Sequence, residues 1–491
     1  MDMDKSKDSK ACDSTSTESV DCHATASAVS RNDRNNTQTQ KVDSRSESVD
    51  CHAHQAARND KKNTKALNDS KNCGGAAVAL RDFEGGSYLS GNDYSQNHAI
   101  NPHCSPKTES PQTQIPLIDL HPQYHAYKHE LDSAIASVLH SQHFILGKHS
   151  KALESELASF VGRRFCITCS SGTSALLLAL LALDIGEGDE VITPSFSFIA
   201  AAEMVAFLGA KPVFVDICPS TYTLDPAQVA RAISPRTKAI IPVSLFGQPY
   251  DVGAIAEVAR AIPIIEDGAQ SFGSKILGER EARSGSFGTL SVTSFFPSKP
   301  LGGYGDGGAV FCDDERLAHR LYAFRNHGQA SKYHHTTLGL NARLDELQCA
   351  ILRVKLAHFP DELNLREQVA ARYYALLKPL QSHLALPYIA PDRTSVFAQF
   401  CLRALESSLE SSVAKARDHI TSTLNAQGIA TAIHYPTPLH LQECFAYLGY
   451  KQGDFPVSER VSQEIFSIPF SPYLTKAAQK HIAKALYAII F

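Results

Sequence analysis

Short apolar runs alternate with longer amphipathic stretches through the first half of the globular part of the chain. Runs of about five apolar residues are typical of buried strands, and the stretches between them carry apolar residues at helical spacing. The predicted strands are 164–169, 190–194, 212–216, 239–243 and 262–267, and the predicted helices are 125–140, 149–161, 172–183, 198–208, 226–233 and 251–260. This alternation predicts right-handed βαβ units and an α/β fold with a mostly parallel, doubly wound sheet.

The pattern changes after a long helical stretch predicted at 344–380. Two predicted strands, 395–403 and 429–435, flank a predicted helix at 411–427. A smaller α/β unit with its own core fits this arrangement. We therefore expect a large domain over 114–379 that includes an N-terminal arm, and a small C-terminal domain over 380–491.

Residues 1–113 are rich in Ser, Asp, Asn, Lys, Thr and Gln and contain few large apolar side chains. Such a segment cannot bury enough surface to offset chain entropy, so we expect a disordered, low-complexity extension. The heptapeptide at 18–24 returns at 47–53, which suggests a duplication within that extension. The Cys-His elements at 22–23 and 51–54 are candidates for weak metal binding, but a duplicated polar tail is the favoured interpretation and no metal site is predicted.

Composition narrows the classes of function. The chain has 491 residues, a formal net charge of −4, 43% hydrophobic and 20% charged residues. This balance argues against nucleic acid or an anionic membrane as the main partner, and no apolar run approaches the roughly 20 residues of a membrane span. The first residues lack the apolar core of a signal peptide.

Twelve cysteines are scattered without a regular framework of spacings. Several of them lie inside apolar runs, as Cys166 and Cys169 do, so buried reduced thiols and a cytoplasmic location are expected. The CxxC spacing of these two residues also occurs in redox and zinc sites. On an apolar strand, a buried structural pair is the favoured interpretation.

Lys299 and Asp267 are the candidate catalytic residues. Asp267 closes a predicted buried strand, and Lys299 follows 32 positions later (299 − 267) in a loop of small and polar residues. A lysine can form a Schiff base with pyridoxal 5'-phosphate (PLP), while a carboxylate keeps the pyridine nitrogen protonated. Taken alone, a surface lysine and a strand-end acid would be the commoner interpretation.

Neighbouring residues favour the cofactor interpretation. The turn at 170–175 joins a strand to a helix of Leu and Ala, so its backbone N–H groups and helix dipole suit a phosphate, although a plain N-cap has the same appearance. Gln270 lies one helical turn after Asp267, within reach of a ring substituent. Ser294, five residues before Lys299, can turn its hydroxyl toward the same phosphate. Phe198 is a candidate for stacking on the ring, although an aromatic residue there is more often part of the core.

Five motifs in this order resemble the DegT/DnrJ/EryC1/StrS family of PLP-dependent sugar aminotransferases, over almost all of 115–491. They are SGTSAL at 171–176, GEGDEVITP at 186–194, IEDGAQSFG at 265–273, SFFPSK at 294–299 and GLNARLD at 339–345. Ser171 stands where the family frequently has Asn, and Gly268 where it frequently has Ala or Cys. NHGQ at 326–329 and YHH at 333–335 are similar to the enzymes that aminate the 3-keto group of UDP-2-acetamido-2-deoxy-3-oxo-glucuronic acid.

The resemblance implies PLP-dependent transferase fold type I and a homodimer whose active sites form at the subunit interface. It implies Lys299 as the Schiff-base lysine, Asp267 as the pyridinium partner and Gln270 as the contact to the ring hydroxyl. The other implied cofactor contacts are Gly172, Thr173 and Ser294 for the phosphate, Phe198 for stacking, and Asn341 given to the phosphate by the other subunit. The implied substrate contacts are Arg343, His327, His434 and Tyr435.

The expected reaction is transamination of a nucleotide-linked keto-sugar with glutamate as amino donor, for the biosynthesis of surface polysaccharide or O-antigen sugars. The alternative acceptor is a UDP- or dTDP-linked 4-keto-sugar. Some family members dehydrate sugars and carry histidine at the lysine position, so Lys299 argues against that reaction. Two further alternatives are a fold type I lyase acting on amino acids and a non-catalytic regulatory protein with this fold.

Overall fold

The computed structural model describes residues 114–278, 281–406 and 412–491. The predicted extension over 1–113, with its repeat and its Cys-His elements, lies outside these ranges. Within them the helices are α1 His121–Ser141, α2 Lys148–Val161, α3 Gly172–Ala182, α4 Ala200–Phe207, α5 Pro226–Ala232, α6 Val252–Ala259, α7 Glu315–Arg325, α8 Glu346–Leu377, α9 Val413–Ala426, α10 Pro456–Glu464 and α11 Lys476–Ile490.

The strands follow the predicted alternation in the first half of the fold. They are β1 Phe165–Cys169, β2 Glu190–Pro194, β3 Lys211–Val215, β4 Thr237–Ile240, β5 Ile265–Asp267, β6 Lys275–Ile276, β7 Ala282–Arg283, β8 Leu290–Ser294, β9 Gly308–Cys312, β10 Gln329–Ser331, β11 His334–His335, β12 Leu384–Ala385, β13 Phe400–Ala404 and β14 Ile465–Ile468. Each strand predicted between 164 and 267 is present, with its ends shifted by up to three residues.

A seven-stranded sheet forms the centre of the larger part of the molecule. Its order is β3-β2-β4-β5-β8-β9-β1, in which parallel bridges from Ile240 to Ile264 and from Val243 to Asp267 join β4 to β5. β9 runs antiparallel to both of its neighbours, and the remaining pairs are parallel. The predicted α/β class with a mostly parallel sheet is therefore confirmed.

α3 is the most apolar helix against this sheet, which explains its position. Its sequence GTSALLLALLA buries residues all round, and it packs against β8 and β9 on one side and α4 and α7 on the other. A helix that is apolar on every side needs protein on every side. Its N-terminus is thereby fixed at the edge of the sheet where β8 ends.

The C-terminal part of the chain has a separate apolar core. The antiparallel sheet β12-β13-β14 packs with α9, α11 and the second half of α8, and the members of this core lie between Val369 and Ile490. Two strand predictions were wrong in extent. Residues 429–435 form only isolated bridges, from Ile429 to Ile115 and from Ala432 to Ser467. Residues 395–399 are not a strand, because Phe397 has a left-handed backbone (φ 45°). The domain boundaries at 113 and 379 remain predictions.

The described cysteines are free thiols, and Cys166 and Cys169 lie buried in β1. Burial raises the pKa of the Cys169 thiol to about 12, so the thiolate that redox and metal chemistry requires is disfavoured. The described ranges hold no cluster of His, Cys, Asp and Glu suited to a metal ion. None of their helices has the length and apolar character of a membrane span.

Candidate active site

A cavity of about 430 Å³ opens at the carboxyl ends of β5 and β8, beside the N-terminus of α3. Ligands of open α/β sheets bind at this edge, because the loops and helix N-termini that follow the strands converge there. The cavity brings together eight of the predicted residues, namely Gly172, Thr173, Asp267, Gln270, Ser294, Lys299, His434 and Tyr435, with Phe198 at its mouth.

The first turn of α3 forms one end of the cavity. The Ser171 side chain accepts a hydrogen bond from the Ser174 N–H at 3.0 Å and caps the helix. The N–H groups of Gly172 and Thr173 have no intrahelical partners at this position, and they form the positive end of the helix dipole. A Cβ atom on Gly172 would lie 2.8 Å from the Ser294 Cβ, so only glycine permits this approach of helix and strand.

Asp267, a residue that is 9% exposed, ends β5. Its Oδ1 accepts a hydrogen bond from the Ala269 N–H at 3.0 Å. Burial raises the pKa of Asp267, while that hydrogen bond and the positive charge of Lys299 act in the opposite direction. The carboxylate form of an acid in this setting is stabilised by a cation placed against it in the cavity that Asp267 lines.

Lys299 lies across the cavity from the end of β5, in the loop between β8 and β9. Its backbone N–H donates to the Phe296 carbonyl at 2.8 Å, which closes a tight turn. Burial lowers the pKa of the Lys299 amine, and the charge of Asp267 partly opposes this effect. A lowered pKa increases the fraction of neutral amine, the form that acts as a nucleophile or a base.

Gln270 is hydrogen-bonded to residues of two other loops, and no pattern in the sequence indicated these contacts. Its Oε1 accepts from the Phe246 N–H at 2.8 Å, and its Nε2 donates to the Tyr435 hydroxyl at 3.0 Å. Phe246 and Tyr435 both have left-handed backbones and stack with ring centroids 6.3 Å apart. The amide of Gln270 is thereby fixed in the cavity wall, next to Asp267.

His434 forms the far wall of the cavity, near Lys299. Its Nε2 lies 3.0 Å from the Ser467 hydroxyl. Burial and the nearby charge of Lys299 lower the pKa of His434 to about 4. The imidazole is therefore neutral at pH 7 and can donate or accept a hydrogen bond without adding charge.

Phe198 stands at the mouth of the cavity and is 58% exposed. A large apolar ring that is exposed in this position has its face available to a planar ligand. An aromatic residue at such a position in a sequence is more often part of the core. That interpretation is wrong for Phe198.

Three predicted residues lie outside the cavity in the described part of the chain. Asn341 is exposed and forms a bridge with Asn326, while the Arg343 Nη1 donates to the Asn326 Oδ1 at 2.8 Å. His327 is exposed, with a left-handed backbone at φ 58°. These three residues lie near one another and do not line the cavity of the described chain, so their predicted contacts to cofactor and substrate are not tested by this cavity.

Sequence reasoning missed several residues that line the cavity. Among them are Ser197, Val243, Asp306 and Gln399. Val243 follows β4 and pairs with Asp267 in the sheet, a position that the order of the strands would have revealed. Gln399 comes from the C-terminal part of the chain, and no local pattern marks it.

The cavity suits PLP on the chemistry of its walls. The helix N-terminus and the Ser294 hydroxyl offer donors to a phosphate, and Asp267 offers a buried acceptor to a ring nitrogen. Lys299 offers an amine, and Phe198 a free aromatic face. The close approach of Gly172 to Ser294 leaves backbone rather than a side chain facing the phosphate position.

An α/β sheet of this order, with an amine, a buried acid and a helix N-terminus in one cavity, defines a PLP-dependent enzyme of fold type I. The chain belongs to the DegT/DnrJ/EryC1/StrS aminotransferase family, whose model matches residues 126–487. It is therefore a PLP-dependent aminotransferase, as the sequence motifs indicated.

The chain is also similar to individual aminotransferases and to solved structures. The chain is 46% identical over 374 residues to the UDP-2-acetamido-2-deoxy-3-oxo-D-glucuronate aminotransferase of Pseudomonas aeruginosa, covering 76% of this chain and 99% of the relative. The crystal structure of DesV from S. venezuelae superposes with a TM-score of 0.72 at 38% identity, covering 76% of this chain and 98% of DesV. NtdA from Bacillus subtilis, solved with the bound cofactor PMP, has a TM-score of 0.69 at 28% identity, covering 77% and 85%.

Proposed function

We propose that this chain transfers an amino group from glutamate to a nucleotide-linked keto-sugar, with UDP-2-acetamido-2-deoxy-3-oxo-glucuronate as acceptor. The observation that carries the reaction type is the pairing of the Lys299 amine and the Asp267 carboxyl group in one buried cavity beside the N-terminus of α3. The acceptor is supported by the Pseudomonas aeruginosa relative, which covers 76% of the chain.

Each residue of the cavity has its own role in the proposed reaction. PLP, when bound, supplies an electron sink for the substrate carbon that loses or gains a proton. Gly172, Thr173 and Ser294 would hold its phosphate, and Gln270 its ring hydroxyl. Asp267 would keep the ring nitrogen protonated, because a buried carboxylate is stabilised by an adjacent cation.

Lys299 carries the proton in this proposal. Its amine would hold the cofactor in the resting enzyme and, when free, would accept and return the proton of the donor α-carbon. Burial favours the neutral amine that this step requires, since it lowers the pKa of Lys299. Neutral His434 and the Tyr435 hydroxyl would orient the sugar without competing for that proton.

Purified enzyme is expected to lose its visible cofactor absorbance when glutamate is added, and then to aminate the 3-keto glucuronate in preference to other sugars. The test offers a panel of UDP- and dTDP-linked 3-keto and 4-keto sugars, with the products identified by mass. Preferred amination of a 4-keto-sugar would replace the proposed acceptor. A cofactor band unchanged by any amino donor would instead support the non-catalytic alternative. Release of keto acid together with ammonia over many turnovers, without amination of any sugar, would support a lyase.

We propose further that the enzyme is a homodimer in which each subunit completes the other's cavity. Asn341, Arg343 and His327 are the residues involved, because they lie outside their own cavity while the family pattern assigns them to the phosphate and the sugar nucleotide. Phe198 and Phe296 at the mouth are 58% and 50% exposed, so a second subunit would also cover apolar surface there.

Mixing two inactive variants tests this arrangement. Dimers that combine one Lys299→Ala subunit with one Asn341→Ala subunit contain one site in which both residues are intact, if Asn341 is given across the interface. Such mixtures are expected to regain roughly a quarter of wild-type activity when the subunits redistribute at random, because half of the dimers are mixed and each has one intact site. If the two variants mixed remain as inactive as each alone, Asn341 acts within its own subunit. An Asn341→Ala variant that is fully active alone would show that Asn341 has no role in the reaction.

The expected cytoplasmic location and the role in O-antigen or other surface polysaccharide synthesis remain part of the proposal. The free thiols of the described cysteines agree with a reducing compartment. A nucleotide-linked amino sugar is the kind of product that glycosyltransferases consume, which places this reaction before sugar transfer.

A further inference from the structure

The loop that carries Lys299 lies between two cavities. One side of the loop lines the active-site cavity, and the other side, at Pro297, Pro300 and Gly302, borders a second cavity of about 20 Å³. The loop is packed at Leu301, which is 2% exposed and belongs to the apolar core that includes Phe295 and Leu344. Next to Leu301, at Gly302 and Tyr304, hydrogen bonds hold the backbone of the loop.

α8 supplies those hydrogen bonds from two of its side chains. The Lys355 Nζ donates to the Gly302 carbonyl at 2.7 Å. Gln348, two turns earlier on the same helix, accepts from the Tyr304 N–H at 2.8 Å and donates to the Tyr304 carbonyl at 3.1 Å. Residues seven apart lie on one face of a helix, so both side chains hold the same loop.

Lys355 is unusual among residues that make structural contacts, because it is a lysine with a buried side chain. The side chain is 2% exposed, and its Nζ lies 4.1 Å from the centroid of the Tyr304 ring. Burying an ammonium group is costly unless it is paired and hydrogen-bonded. Burial lowers the pKa of Lys355 to about 8, and the charge of Glu362 on the same helix opposes this effect.

The same face of α8 is tied to the rest of the molecule. Glu362 accepts from the Gln123 Nε2 of α1 at 2.8 Å and from the Tyr473 hydroxyl at 2.9 Å. The Arg366 Nη1 donates to the carbonyls of Val396 and Phe397 at 3.3 Å, just before β13. The helix is thus anchored in the turns that follow Lys355, and it can act as a fixed support.

We propose that Lys355 and Gln348 of α8 are positioning residues for Lys299, which hold the 299–304 loop so that the Lys299 amine meets the cofactor in one orientation. Neither side chain lines the active-site cavity. Their effect reaches Lys299 through the backbone from Gly302 and Tyr304. The inference rests on the proposed PLP-dependent reaction and does not depend on which sugar is the acceptor.

Lys355→Met removes the donor and keeps the apolar stem of the side chain. In the holoenzyme it is expected to lower kcat by about tenfold to hundredfold, because a displacement on the order of 1 Å at a reacting group has that effect. KM for glutamate should change little. The visible circular dichroism of the bound cofactor should weaken and its dissociation should accelerate, since both depend on one fixed orientation of Lys299.

Three variants make the result decisive. Lys355→Arg keeps a donor on this face and should restore much of the circular dichroism. Gln348→Ala should lower kcat and the circular dichroism in the same direction, which covers the case in which Lys355→Met folds poorly. Tyr373→Phe is the matched control, because it removes a hydrogen bond of 2.7 Å from α8 to the Pro469 carbonyl, away from Lys299.

The inference is rejected if Lys355→Met and Gln348→Ala keep wild-type kcat and circular dichroism. It is also rejected if these variants lose activity only in proportion to a fall in Tm that Tyr373→Phe reproduces. A wild-type enzyme whose cofactor absorbance does not respond to glutamate would contradict the proposed function instead, so the two failures are distinguishable.

Discussion

Lys299→Ala is expected to lower kcat by at least ~10⁴-fold, because it removes both the covalent attachment of the cofactor and the proton carrier. Lys299 is the single lysine among the residues that line the cavity, so no other amine is placed to replace it. The fold should persist or gain stability, since burial disfavours the charged amine and alanine removes that cost.

Borohydride reduction followed by peptide mass analysis measures the first part of this prediction. The wild-type protein should carry the cofactor on the peptide that contains Lys299, and the variant should carry none. Lys480→Ala, at an exposed position on α11, is the control for the loss of a lysine as such. A variant at 299 that still turns over at more than a trace rate would end the assignment of Lys299.

Asp267→Asn is expected to lower kcat by roughly 10²–10³-fold, the usual effect of removing one buried charge-stabilising group. An amide has nearly the same shape as the carboxyl group and can still accept the Ala269 N–H. It carries no negative charge, however, so it cannot hold a proton on a ring nitrogen. The absorbance of the bound cofactor should shift with pH in the variant over a range in which the wild type is constant.

Glu266→Gln is the matched control for this prediction. Glu266 precedes Asp267 in β5, and neighbouring strand residues point to opposite faces of a sheet. Its carboxyl group accepts from the Ser284 hydroxyl at 2.6 Å and from the Gly285 N–H at 3.0 Å, away from the cavity. We expect Glu266→Gln to alter stability while kcat stays within a few-fold of wild type. Equal losses of kcat in both variants would mean that Asp267 acts through the sheet and not on the cofactor.

The sequence was sufficient for the parts of the fold that local patterns encode. β1 to β5 and their helices follow from apolar runs of the right length, and the Lys299 and Asp267 pair follows from the motifs around them. The failed strand prediction at 395–399 has a physical cause. A single residue with positive φ, Phe397, interrupts the extended segment without any glycine to mark it.

Other features depend on contacts between distant parts of the chain. Gln399 reaches the cavity from the C-terminal part of the chain, and Gln270 is fixed by Phe246 and Tyr435, which lie 24 and 165 residues away. Lys355 is buried although lysine is almost always exposed. No short stretch of sequence contains both residues of such a long-range contact, so only the folded structure shows these contacts and the burial of Lys355.

The formation of the phosphate pocket depends on the reversed strand β9. Gly172 and Ser294 are 122 residues apart in the chain (294 − 172) and become neighbours only when β9 bridges β1 to β8. A pairing of such high contact order forms late, because the long loop must close before it gains any contacts. The phosphate pocket therefore cannot form until the chain has been synthesised as far as residue 312 and β9 has paired with both of its neighbours.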